Sequence, residues 1–350
     1  MEERSPQVIF LPDWRGANPY LTLLEDALGS HGISVTFGQY PRGYLKLTRV
    51  LRQKGRHQCV HIHWTVGLFS EFFWSTNPIK IFAKACILAL DLLLVRTSGA
   101  KIVWTVHNLY EHDTKNIRTE QLCRKILWIF SNSIIAHSNG AKNAIKHEYG
   151  VLHSNKIHVI PHGNYLDTVE TKSPVKFNRE SLGLAPDSTV VLFFGAIRPY
   201  KGLETLIDAF SRATRQDLAL VIAGWPLNTN QTAWIRNVCK NDIRIKLHDY
   251  FIPSDDVHSF FASSDYVTLP FRKTLTSGSV ILAMGFGKPL ILPDHAKILG
   301  LPPHSGALYF EDELTLASIF QTLSQHNATR MGKLNYDHAK RLDWNVIAGE

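Results

Sequence analysis

The stretch "FFGAIRPYKGLETLIDAF", residues 193–210, reads as the end of a buried strand, a tight turn and then a helix. Gly195 permits a sharp exit from the strand and Gly202 lies at the start of the helix. Arg198 and Lys201 therefore project near the strand's end, three positions apart. Two cations so close repel unless something anionic sits between them. A diphosphate fits: Arg offers a bidentate fork and Lys a point charge, together suited to a leaving group that gains negative charge as its bond breaks. The plainer alternative, two solvated loop cations, is outweighed by the position at a strand terminus.

The same strand–helix alternation extends both ways. Upstream run "QVIFLP", "NPYLTLLEDALGSHG", "VTFGQY", "CVHIHW", "KIVWTVHN", "SIIAHS" and "IHVIPHG"; downstream come "LALVIAGW", "IRIKLHDY", "VHSFFASS", "YVTLPF", "SVILAMGFG" and "KPLILPD". Alternation of this kind predicts parallel strands with crossover helices. The polar, aperiodic "LDTVETKSPVKFNRESLGLAPDS" between them reads as a linker. The fold class is α/β, with two Rossmann-like domains facing a cleft: an N-terminal domain over 1–165, a linker over 166–186, a C-terminal domain over 187–330 and a segment over 331–350 returning toward the first.

Length and composition agree. A chain of 350 residues suits two α/β domains, and 45% apolar with 19% charged residues is a globular composition without low-complexity tracts or repeats. The formal charge of +8 favours an anionic partner: a phosphorylated metabolite or an acidic lipid surface. The cations are spread out and no RNA- or DNA-binding motif accompanies them, so nucleic acid is not expected. The N-terminus has no apolar signal segment, and Cys59, Cys86, Cys123 and Cys239 are scattered. The expectation is a reduced, cytoplasmic protein without disulfides or zinc.

Parallel sheets bind ligands at the carboxyl ends of their strands. That rule selects Asp13, residues 18–20, His63 and Trp64, "HNLYEHD", "HGN", the Arg198 turn, and residues after the later strands, of which Gly195, Gly224, Tyr250 and Phe251 are read as nucleotide-binding. A second anion site is expected where Thr276, Ser277, Gly278 and Ser279 open a helix, because a helix N-terminus offers free N–H groups to phosphate oxygens. Ordinary capping is the alternative there.

"AIRPYKG" and "SGSVILAMGFGKPLI" resemble the donor-binding half of glycosyltransferases with the two-Rossmann glycosyltransferase-B (GT-B) fold. With "NPYLTLLEDAL", "VHIHW" and "TVHNLYEH" in the other half, the chain most resembles the inverting β-mannosyltransferases of xanthan-type exopolysaccharide assembly. The resemblance covers nearly the whole chain in order. It implies a hexosyltransferase that takes GDP-mannose as a substrate, with no cofactor, and passes mannose to a glycan or polyprenyl-diphosphate-linked oligosaccharide at the cytoplasmic membrane face. Retaining relatives usually carry two Glu eight positions apart around the last helix; this chain has Thr274 and Leu282 there, which favours the inverting group and leaves ribose recognition unassigned. Pro293 and Asp294, after the next strand, are candidates for it. The tail "RLDWNVIAGE" resembles the start of the closing helix that in this fold crosses back to the N-terminal domain.

Inversion requires a general base for the incoming hydroxyl. His107, Glu111, His112 and Asp113 are the right chemical types at a strand terminus, and by resemblance His107 and His112 are shared with the xanthan-type enzymes. A His matching His107 also lines the sugar pocket in many retaining relatives. The base is not singled out among the four, with His112 and Asp113 the two leading candidates. Asn18, Tyr20, His63 and Trp64 are read as acceptor-binding, with capping and packing as the alternative for the first two. His61 and His63 share a strand face, but no third ligand and no D-x-D motif accompany them, so no metal site is read and catalysis is expected to be metal-independent. His162 to Asn164 read as a hinge.

The run "IKIFAKACILALDLLLV", residues 79–95, is interrupted by Lys80, Lys84 and Asp91 and falls short of a bilayer span. It reads as a packed helix, with attachment to an anionic membrane surface as the alternative. Two other functions stay open: a retaining transferase or nucleotide-sugar epimerase of the same fold, and a catalytically silent sugar-nucleotide-binding assembly subunit.

Overall fold

A computed structural model describes residues 6–16, 19–55, 58–72, 77–111, 116–150, 155–168 and 175–350. The chain divides into two units, one formed by residues 1–163 with 344–350 and the other by residues 164–343.

The first unit runs β1 (Gln7–Leu11), α1 (Tyr20–Ser30), β2 (Ser34–Phe37), α2 (Lys46–Lys54), β3 (Cys59–Ile62), α3 (Val66–Phe69) and α4 (Pro78–Thr97). It continues with β4 (Lys101–Thr105), α5 (Ile117–Phe130), β5 (Ser133–Ala136), α6 (Asn139–Tyr149) and β6 (Ile157–Val159). Its six strands are parallel, in the order β2-β1-β3-β4-β5-β6. The order reverses direction between β1 and β3. Helix α1 buries Tyr20, Leu21, Leu24 and Ala27, one helical stripe, against this sheet.

The second unit runs β7 (Thr189–Phe194), a 3-10 turn (Pro199–Lys201), α7 (Leu203–Arg212), β8 (Leu218–Ala223), α8 (Thr229–Cys239), β9 (Ile245–His248) and α9 (Ser254–Ala262). There follow β10 (Tyr266–Thr268), α10 (Gly278–Gly285), β11 (Leu290–Pro293), β12 (Ala307–Phe310), α11 (Glu313–Thr322) and α12 (Gln325–Arg341). The order is β12-β11-β10-β7-β8-β9, again all parallel, with the reversal between β7 and β10. All six residues of β8 are buried, as expected of a strand covered by helices on both faces. Helix α7 buries Leu203, Leu206, Ile207 and Phe210 at helical spacing.

Three details differ from what the sequence suggests. Part of the stretch read as a linker packs on the second unit: Leu182 and Leu184 are buried there, Lys176 N donates to Ser259 Oγ (2.9 Å), and Arg179 pairs with Asp265 (2.8 Å). The stretch counted with the first unit begins at Trp344, where α13 (Trp344–Ala348) starts and contacts α1, rather than near residue 331. Asp91 does not simply interrupt an apolar run. It is buried and caps α2, accepting from Leu47 N (2.9 Å) and Thr48 N (2.8 Å).

Asn77 caps α4, with Pro78 in its first turn. Among the described residues no helix is long and apolar enough to cross a membrane.

Candidate functional site

In the first unit the strand ends deliver histidines. His61 lies on β3, His63 just after it, His107 after β4, His137 after β5 and His162 after β6. The rings of His61 and His63 stack with centroids 4.0 Å apart, so the two do share a face. His63 and His107 are 5.8 Å apart, His107 and His137 5.3 Å, His137 and His162 5.3 Å. Tyr20 lies against four of them, at 5.7 Å from His63, 5.2 Å from His107, 6.0 Å from His137 and 4.9 Å from His162.

His61, His137 and His162 each have a polar neighbour. His61 Nε2 lies 2.8 Å from Thr105 Oγ1, while His137 Nδ1 meets Ile160 O at 2.9 Å and His162 Nδ1 meets Gly163 O at 2.7 Å. Both ring nitrogens of His63, and Nε2 of His107 and of His137, are buried without a hydrogen-bond partner. Burial pushes all five down: His61 to about 3, His162 to about 3, His137 to about 4, and His63 and His107 well below the ordinary range. The cluster is therefore neutral at pH 7. Among the described residues no three His, Cys, Asp or Glu side chains are placed to hold a metal ion.

His63, Trp64, Thr65, His107, Asn108, Glu111 and Arg124 line a pocket. Trp64 stacks on His107, with ring centroids 4.7 Å apart and planes 11° apart. Glu111 is committed elsewhere. Its carboxylate accepts from Thr65 Oγ1 (3.1 Å) and Arg124 Nη2 (3.3 Å), and its own N–H donates to Glu120 Oε1 (2.8 Å). Arg124, buried on α5, also donates to Asn108 O (2.9 Å). Thus Arg124 ties down the chain between His107 and Glu111, a role the sequence did not disclose. His112, Asp113 and Asn18 lie outside the described residues.

In the second unit the loops after β7 and β8 run side by side. Gly195 N donates to Ala223 O (2.9 Å) and Ile197 N to Trp225 O (2.8 Å). A Cβ on Gly224 would lie 2.0 Å from Gly195 O, so only glycine fits there. Gly202 has φ +69, and a Cβ on it would lie 2.0 Å from Pro270 O. These approaches place Lys201 over the strand ends.

Lys201 is buried, and its ammonium donates to Ser279 Oγ (3.3 Å) in the first turn of α10. Burial, with Arg198 adding repulsion, pulls its pKa down to about 8. Ser277 caps α10 by accepting from Val280 N (3.3 Å), and a Cβ on Gly278 would lie 2.8 Å from Tyr165 Oη. Among the described residues neither Arg198 nor Lys201 has a carboxylate within ion-pair distance. The two anion-seeking features expected from sequence are thus in direct contact, at the point where the strand order reverses.

Beside them the Arg198 guanidinium lies 5.5 Å from the centroid of Trp225, which in turn lies 5.3 Å from Phe251. Trp225, Tyr250 and Phe251 are exposed. Trp225 was not among the residues assigned from sequence to the nucleotide, although it directly follows Gly224. Thr274 Oγ1 donates to Thr276 O (3.1 Å), and Asp294 pairs with Lys297.

The chain thus folds into two parallel six-stranded α/β units, each with polar side chains gathered at its strand ends. Residues 188–324 match the family described as glycosyl transferases group 1, and residues 7–167 the one described as glycosyltransferase family 4. The chain belongs to the glycosyltransferases of GT-B fold. It is similar to the GDP-mannose:glycolipid 4-beta-D-mannosyltransferase of Xanthomonas campestris pv. campestris, 26% identical over 90% of this chain and 82% of that one. Among solved structures, sucrose-phosphate synthase from Thermosynechococcus elongatus shares the fold (TM-score 0.77, 16% identity, 99% of this chain and 96% of that chain). So does Anabaena HepE in complex with UDP and glucose (TM-score 0.70, 15% identity, 99% and 97%).

Proposed function

We propose that this glycosyltransferase moves mannose from GDP-mannose to a lipid-linked glycan with inversion at the anomeric carbon. The observation that carries the reading is the buried, carboxylate-free Lys201 held against Ser279 at a helix N-terminus, with Arg198 beside it. A diphosphate satisfies both cations and the free N–H groups of α10, and it gains charge as the C1–O bond breaks. That chemistry requires no metal and no cofactor. The choice of GDP-mannose follows the similarity to the Xanthomonas enzyme. Trp225, Tyr250 and Phe251 offer an aromatic platform for the base, beside Gly195 and Gly224.

For the base that takes the acceptor proton, two of the four candidates are unsuited. Burial holds His107 neutral and a poor proton acceptor, and Arg124 holds the Glu111 carboxylate. His112 and Asp113 are left. The orphaned ring nitrogens of His63 and His107 suit sugar hydroxyls, which both donate and accept.

The lipid-linked acceptor has a structural counterpart in α4. One face of the helix is buried through Ala85, Leu88, Leu92 and Val95, while Ile79, Phe82, Leu90 and Leu93 lie exposed along another. Lys80 and Arg96 on α4, with Arg118 and Lys125 on the adjacent α5, are exposed too. An apolar stripe with cations around it suits the anionic cytoplasmic face of a membrane. A thermal-shift comparison tests the donor: GDP-mannose at a hundred times its dissociation constant should stabilise the protein by about 2.7 kcal/mol. Stabilisation by UDP-glucose and not by GDP-mannose defeats the donor assignment.

A further inference from the structure

We propose that Trp14 is a carbohydrate-stacking residue and forms the outer end of the acceptor-glycan subsite. The inference rests on the reading that the first unit receives the acceptor glycan. Trp14 follows β1, Trp64 follows β3 and His107 follows β4, and these three strands are neighbours in the sheet. Their side chains form a ladder of π-faces. Trp14 and Trp64 have ring centroids 4.9 Å apart at 31°, and Trp64 and His107 4.7 Å apart at 11°. The ladder starts where the strand order reverses between β1 and β3, the position at which open parallel sheets bind ligands.

The outer member is open. Trp14 is 36% exposed, a large apolar surface left to water beside a pocket. Its neighbours are pinned. Arg15 pairs with Asp13 (3.0 Å) and lies over the Phe37 ring (3.7 Å), while Gln39 Nε2 donates to Asp13 O (2.6 Å). Trp64 is held as well, since Tyr40 Oη donates to its carbonyl (3.0 Å). The indole is thus presented in one place, and a ligand meets a preformed face.

The chemistry of the ladder selects the ligand class. A pyranose has an apolar face of C–H bonds and a rim of hydroxyls. Indole faces match the first. The second is matched at the inner end, where His107 Nε2 and both nitrogens of His63 are buried and unpartnered. A purely apolar ligand would leave those nitrogens unsatisfied, and the charged groups of the pocket, Arg124 and Glu111, are paired with each other.

The test uses the full chain labelled with 5-fluorotryptophan, with Trp14→Phe to identify the Trp14 fluorine resonance, titrated with cellotetraose and with mannotetraose in the absence of donor. At least one tetrasaccharide should shift that resonance. Trp14→Ala should weaken its binding tenfold or more, whereas Trp14→Phe, which keeps an aromatic face, should stay within about threefold of the parent. GDP-mannose binding should be the same in all three proteins. The inference is overturned if neither tetrasaccharide moves the Trp14 resonance, or if one binds equally well to Trp14→Ala. These outcomes are read without donor, so they are separate from failure of the GDP-mannose assignment, which is read without glycan.

Discussion

The Lys201 ammonium lies 3.3 Å from the Ser279 hydroxyl, joining a turn after β7 to a residue in the first turn of α10, 78 positions later. On the proposed reading the contact sets function against stability. A lysine buried without a carboxylate is a poor core residue, and burial with the nearby Arg198 pulls its pKa down to about 8. The folded value lies below the unfolded one, so the unfolded state binds more protons between about pH 8 and 10.5, and stability rises with pH in that window. Below pH 8 the full penalty applies, about 3 kcal/mol.

Lys201→Met should therefore raise the melting temperature of the unliganded protein at pH 7 and cut turnover by 10²- to 10³-fold, the size expected for losing one contact to leaving-group charge. The parent should also bind donor more weakly above about pH 8, where free Lys201 loses its proton. A variant no more stable than the parent, with turnover intact, would remove Lys201 from the diphosphate site.

The histidine cluster makes the first unit acid-sensitive. Each imidazole is held neutral when folded and titrates near its ordinary value when unfolded, so protons bind the unfolded state preferentially below about pH 6.5. Stability falls as pH drops from there toward 4, by about 1.4 kcal/mol per pH unit for each histidine. His63→Phe keeps a ring of similar shape but no nitrogens, and should flatten that slope by one histidine's share. Urea midpoints at pH 7.5, 6 and 5 for both proteins measure it; superimposable profiles would show that His63 is already protonated or exposed.

The strand–turn–helix grammar around Arg198 and Lys201 was legible because glycine and charge punctuate it sharply. The contact with Ser279 was not, since it depends on β10 lying beside β7, an order that local patterns do not carry. His137 and His162 each follow a strand, in "SIIAHS" and "VIPHG", yet only the parallel sheet brings them to Tyr20. Asp91 reads as a flaw in an apolar helix until its carboxylate is seen to cap α2. The edge strand β12 escaped notice because Ala307, Leu308 and Tyr309 are only half-buried and the run is four residues long.

Helix α4 should bring the protein to lipid. Phe82→Glu and Leu93→Glu put charge on its exposed face, away from the buried Leu88 and Leu92, so folding should be unaffected. Sedimentation with vesicles containing phosphatidylglycerol should fall several-fold in either variant, and binding of the parent should weaken as salt screens the surrounding cations. Equal sedimentation of parent and variants would leave α4 as an ordinary surface helix.

Stereochemistry separates the inverting reading from a retaining one. With Thr274 and Leu282 where retaining relatives usually carry glutamates, the second unit lacks that carboxylate pair, and on the proposed reading a single displacement with base assistance is the simpler path. It turns an α-linked nucleotide sugar into a β-linked product. The base should be His112 or Asp113, because Arg124 keeps the Glu111 carboxylate occupied at 3.3 Å and burial disfavours the imidazolium that His107 would become on taking the proton. Glu111→Gln retains the contacts to Thr65 in outline and should lower turnover less than tenfold. One of His112→Ala and Asp113→Ala should lose 10²- to 10⁴-fold, the range of general-base effects, while the other loses little. In the severe variant the pH–rate profile should also lose its acidic limb, which a merely structural loss would leave in place. Proton NMR of the isolated disaccharide linkage reads the anomeric configuration directly. An α-linked product from GDP-mannose, or a Glu111→Gln enzyme as inactive as the worst of the others, would return the base assignment to Glu111 or abolish it.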